Sequence, residues 1–182
     1  MQIRILKSDG TIEPYLHTKV LGTFHYALAL TGSESLYAAE QMAEAVTFYL
    51  YRQVSSGTLN TDQIHQMVMD VLSSTGYASA SEALSDYRLS RKLKRKRIDV
   101  ITDVKENPNM TMSTHWDKTR IAEDLMNSHN VDRLLARAIA SSVEEKILNL
   151  GVTKVRKSLI HQLVISDMES MLDAHRQLAT VG

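Results

Sequence analysis

Ile3-Arg4-Ile5-Leu6-Lys7-Ser8-Asp9-Gly10-Thr11-Ile12-Glu13-Pro14-Tyr15 is the stretch on which the fold turns. Ile3, Ile5 and Ile12 are β-branched and lie on either side of Ser8-Asp9-Gly10. An Asp-Gly pair suits a turn that needs positive φ, so residues 2–7 and 11–14 are predicted to pair as a hairpin. A two-stranded hairpin is marginal in water by itself and needs helices to lie against. The chain beyond Pro14 supplies them.

Apolar residues recur at helical spacing in four stretches. The first, about 18–30, places Val20, Leu21, Phe24, Ala27 and Leu28 on one face and stops near Thr31-Gly32. The second, about 35–54, does so with Met42, Val46, Tyr49 and Leu50. A third starts from an Asn60 or Thr61 cap, carries Ile64, Met67, Val68, Val71 and Leu72, and closes at Gly76. The fourth opens on Ser79-Ala80-Ser81-Glu82, which has capping-box spacing, and runs into Arg91-Lys92-Leu93-Lys94-Arg95-Lys96-Arg97. An irregular stretch containing Asn107-Pro108-Asn109 follows, and three more helices are expected near 117–128, 131–149 and 156–172. The fold class is mainly α with a small N-terminal β-hairpin (α+β). The expected division is a first domain over 1–98, a linker over 99–114 and a second helical domain over 115–182.

The halves echo one another. Ile64-His65-Gln66-Met67-Val68 recurs as Ile160-His161-Gln162-Leu163-Val164, and Tyr15-Leu16-His17-Thr18-Lys19-Val20 as Trp116-Asp117-Lys118-Thr119-Arg120-Ile121. Two echoes in the same order favour an internal duplication. The hairpin signature of residues 7–13 has no counterpart between Asp103 and Thr114. Arg120 and His161 match Lys19 and His65, whereas Lys157 replaces Thr61, so an intact second copy of any ligand site is not expected. Ile139, Val143, Ile147, Leu159, Leu163 and Val164 are expected to form the second half's helical core.

Composition removes several classes of chemistry. The 182 residues carry 21 basic and 21 acidic side chains, so total charge points to no polyanionic partner. With no cysteine there are no disulfides, thiolate zinc sites or cysteine nucleophiles, which fits a reducing, cytoplasmic setting. No apolar run approaches the roughly 18 residues of a membrane span, and the first residues alternate in polarity unlike a signal peptide. His17 and His25 lack a carboxylate partner at metal-ligand spacing. No nucleophile–base or paired-carboxylate arrangement can be singled out, and the expectation is a protein that is not an enzyme.

The hairpin motif Lys7-Ser8-Asp9-Gly10-Thr11-Ile12-Glu13-Pro14-Tyr15 with Lys19-Val20, then Thr61-Asp62-Gln63-Ile64-His65 and Tyr87-Arg88, resembles the ATP-cone family over residues 3–97. These cones are regulatory domains of ribonucleotide reductases and the nucleotide-sensing part of the repressor of reductase genes. The resemblance implies that ATP or dATP, with Mg2+, binds the first half. Ile5 and Val20 would flank the base and Glu13 would hydrogen-bond near it. Lys7, Lys19 and Thr61 would meet phosphates, His65 the sugar, and Arg88 or Arg91 would close the phosphate end. A triphosphate does need cations converging from separate elements, and an adenine an apolar slot. The family often has arginine after the hairpin lysine. Ser8 stands there instead, one charge-assisted contact fewer, worth about 1.5–3 kcal/mol.

The resemblance further implies a nucleotide-dependent homo-oligomer or docking to a partner such as ribonucleotide reductase. The basic run keeps three readings: a solvated helix end suited to the C-terminal dipole, phosphate contact from Arg88 or Arg91, or a nucleic-acid surface over residues 88–97. The family's repressor reads DNA through a cysteine zinc ribbon, which this chain lacks.

Overall fold

The computed structural model describes residues 3–7, 10–53, 57–102 and 113–180. It divides into two compact units, Met1–Leu89 and Ser90–Gly182. The first unit contains β1 (Arg4–Leu6), β2 (Ile12–Pro14), α1 (His17–Ala29), α2 (Leu36–Gln53), β3 (Thr58–Asn60), α3 (Thr61–Ser74) and the start of α4 (Ala78–Arg97). The architecture is mainly helical with small sheets, as expected from the sequence.

In the hairpin the Lys7 N–H donates to the Thr11 carbonyl at 2.8 Å and the Gly10 N–H to the Lys7 carbonyl at 3.0 Å. Gly10 sits at φ +82°, a conformation that costs other residues a Cβ clash. Ser8 and Asp9 lie outside the described residues. The sequence reading missed β3, which pairs in parallel with β1 and makes a sheet of order β2-β1-β3. Its three residues bury only Leu59, too little for a periodic signal. In this sheet Ile5 stands opposite both Glu13 and Leu59. Strand alternation therefore turns all three inward.

Behind the sheet, α1 buries Val20, Phe24, Ala27 and Leu28, and α2 buries Ala39, Met42, Ala43, Val46 and Leu50. Phe24, Leu28 and Leu50 are fully enclosed, each contributing about 1.5–3 kcal/mol of burial. α3 starts where expected. Asn60 accepts the Gln63 N–H at 2.8 Å while the Gln63 side chain accepts the Asn60 N–H at 2.9 Å, a closed capping box. The box expected at Ser79–Glu82 does not form. The Tyr77 carbonyl already accepts the N–H groups of Ala80 and Ser81, so α4 begins at Ala78, and Ser81 is buried with its hydroxyl donating to the Met69 carbonyl at 3.2 Å.

The second unit repeats this topology. It holds the end of α4, then β4 (Asp99–Ile101), β5 (Ser113–His115), α5 (Lys118–His129), α6 (Arg133–Leu150), β6 (Lys154–Arg156) and α7 (Lys157–Thr180). β4 pairs antiparallel with β5 and parallel with β6, in the order β5-β4-β6. The echoed aromatic residues stand at one structural position: the Tyr15 N–H donates to Ile3 at 2.9 Å, and the Trp116 N–H to Ile98 at 3.1 Å.

β4 and β5 occupy the two ends of the stretch expected as a linker, 99–101 and 113–114, and the unit boundary lies at Leu89/Ser90 instead of residue 98. Val100 and Ile101 are β-branched and form β4 with Asp99 although no hairpin signature follows them. Residues 103–112, including Asn107-Pro108-Asn109, lie outside the described residues. Within the core, Ile139, Val143 and Ile147 are fully buried and Val164 nearly so. Leu159 is exposed, against expectation, because α7 turns Ile160, Leu163, Val164 and Asp167 inward.

Candidate functional site

A cavity of about 310 Å³ opens in the first unit between the sheet, α1, α3 and α4. Four elements aim chemistry into it. From the sheet come Ile5, Lys7 and Glu13; from the first turns of α1, Lys19 and Val20. α3 adds Thr61, its first residue, and His65 one turn later on the same face; α4 adds Arg88. Of the residues nominated from the sequence, all but Arg91 line this cavity.

Its electrostatics centre on Glu13, which is 6% exposed. The Lys19 ammonium donates to Glu13 Oε2 at 3.0 Å, and the Lys7 ammonium stands 3.3 Å from the same oxygen. Glu13 thus holds both lysines in the lining. Arg88, also in the lining, pairs with Asp62. Three cations face Glu13 in the lining and Asp62 beside Arg88, so the cavity keeps an excess of positive charge and favours an anion. His65 is half-buried: burial and then the Arg88 guanidinium lower its pKa, while Asp62 opposes them. Near neutral pH its imidazole is uncharged, with one donor and one acceptor.

Sequence reasoning left out Tyr15, Ile64 and Val68, which also line the cavity. Ile64 and Val68 stand at helical spacing beside Thr61 and His65, a signal that could have found them. The Tyr15 hydroxyl and His17 Nδ1 both meet the Thr47 hydroxyl, at 2.8 and 2.9 Å, and burial raises the pKa of Tyr15.

Arg91 is a correction. It belongs to the second unit, where its guanidinium donates to Glu144 at 2.9 Å and to Glu145 at 2.5 Å. Glu144 is 1% exposed and also accepts from Arg95 at 2.6 and 2.8 Å and from the Trp116 indole at 3.1 Å, with the Lys118 ammonium at 3.5 Å. Burial alone would raise its pKa; the guanidinium, ammonium and indole partners overcome that and hold it at about 2. A buried carboxylate without partners is strongly destabilising, so Glu144 claims both arginines. Arg95 is thereby also withdrawn from the basic run, leaving Lys92, Lys94, Lys96 and Arg97 on the exposed side.

Among the described residues no group of three or more acidic or histidine side chains is placed to hold a metal ion, and no helix is long and apolar enough to cross a membrane. No protein-family model matches the chain, and no curated protein matches it in sequence.

Proposed function

We propose that the first unit is an adenine-nucleotide-binding regulatory module of the ATP-cone kind. The observation that carries this is the convergence of Lys7, Lys19, Arg88, Thr61 and His65, from four elements, around a slot walled by Ile5 and Val20. Lysines and arginine meet the phosphates of ATP or dATP, with Mg2+ carried on the phosphates, and the apolar walls take the base. The module acts by binding and not by catalysis, in the cytoplasm. Its output is a change in homo-oligomeric state or in docking to a partner such as ribonucleotide reductase.

The outer face of α2 supports self-association. Tyr37, Phe48 and Tyr51 are 72%, 62% and 56% exposed, and Arg52 lies 5.2 Å above the Phe48 ring. At the place of Phe48, α6 carries Glu145, so the fold does not require this aromatic face. Aromatic and arginine side chains grouped on a surface favour a protein interface. Calorimetric titration with ATP, dATP and GTP tests the reading, and absence of heat with millimolar ATP and dATP overturns it. A second reading, a nucleic-acid surface, rests on the exposed Lys92, Lys94, Lys96 and Arg97. It requires duplex binding that falls steeply with salt.

A further inference from the structure

The second unit has a cavity of its own, of about 360 Å³, between α5 and α7. Its helical walls correspond to α1 and α3 of the first, although no residue of the second sheet lines it. β6 runs directly into α7 as β3 runs into α3, and Trp116 precedes α5 as Tyr15 precedes α1. On that correspondence Ile121, Ile160 and Val164 stand for Val20, Ile64 and Val68, and His161 for His65. The apolar lining is kept, with Ile121, Leu125 and Val164 all nearly buried.

The charge is not kept. Val100 and Thr114 stand where Ile5 and Glu13 stand, by strand register. Arg120, at the place of Lys19, lies beside Asp117 at 3.9 Å and not in the lining. The lining holds one lysine, Lys157, and one carboxylate, Asp124, which cancel. The first cavity's lining has three cations against one carboxylate. A triphosphate therefore gains little from this field, whereas an uncharged ring loses nothing by it.

We infer that the second cavity binds an uncharged nucleoside, a heterocyclic base on a sugar with no phosphate chain. The base lies on Ile121, Ile160 and Val164, and the sugar hydroxyls meet Asp124 and His161, groups that accept or donate hydrogen bonds. This rests on the nucleotide reading of the first cavity. The chain then compares a nucleoside with its triphosphate at two separate sites.

Methyl NMR of the full chain, titrated separately with adenosine and with ATP, tests the inference. Adenosine is expected to move the Ile121, Ile160 and Val164 methyls saturably, and ATP those of Ile5 and Val20. His161→Ala should weaken adenosine binding about tenfold while leaving the ATP response unchanged. Asp124→Asn gives the same test should the first variant lose its native spectrum. Still methyls in the second unit at millimolar adenosine overturn the inference. So does adenosine moving only the Val20 and Val68 methyls, or ATP occupying the second cavity as well as adenosine does. Failure of ATP to move Ile5 and Val20 would instead remove the nucleotide reading of the first cavity, and is read from different resonances.

Discussion

Lys19 and Glu144 show what one side chain is asked to do in each unit. The Lys19 ammonium serves phosphate charge in the proposed site, so Lys19→Ala should weaken triphosphate binding about 10- to 100-fold, the range for a charge-assisted contact. Nucleoside binding to the first cavity should barely change. Equal losses for both ligands in calorimetry would show a damaged fold or a misplaced site. Arg120→Ala, at the corresponding place, should leave ATP binding as it is. Glu144 acts on stability. Its folded pKa of about 2 lies below the ordinary glutamate value of 4.5. The ionised form is thus favoured by folding, and its contribution, about 3 kcal/mol, is present above pH 4.5 and lost as pH falls toward 2. Glu144→Gln should lower stability at pH 7 by about 3 kcal/mol or more. In urea unfolding the gap between variant and wild type should shrink by pH 3, and a gap independent of pH would contradict this account.

At the level of elements, the Asn60 box ties stability to the site, because Thr61 opens the helix that the box secures. Asn60→Ala should cost about 1 kcal/mol of stability, measurable as a lower thermal midpoint, and should weaken ATP binding besides. An unchanged midpoint would show that the cap contributes nothing. The helices were legible because Val20, Phe24 and Leu28, or Val143 and Ile147, repeat at a helical period over long spans. The three-residue strands β3 and β6 were not, since each buries a single apolar side chain. Most of the candidate site was legible because hairpin alternation and helix starts fix where Glu13, Lys19 and Thr61 point. Arg91 was misread because nothing local in its sequence announces Glu144, which is distant along the chain. The aromatic face of α2 also belongs to this scale. Phe48→Asp together with Tyr51→Asp should leave the fold intact, both being exposed, while shifting sedimentation toward the smallest species.

For the whole molecule, linkage sets the sharpest expectation. If ATP or dATP shifts assembly, the favoured assembly must bind nucleotide more tightly by the same coupling free energy, typically about 1–3 kcal/mol. Light scattering with saturating nucleotide should then show a changed mass distribution. Identical distributions at every protein concentration would exclude self-assembly as the output. Two units of one topology also place Thr47 and Glu144 at matching sites, each bonded to the aromatic residue that follows the second strand of its sheet. A glutamate at that site without its cations would strand a charge in the core, whereas arginines at the surface of α4 without the glutamate would stay solvated. The helix end that carries Arg91 and Arg95 is therefore bound to its sequence by a charge it does not itself contain, and either arginine can be given up only together with Glu144.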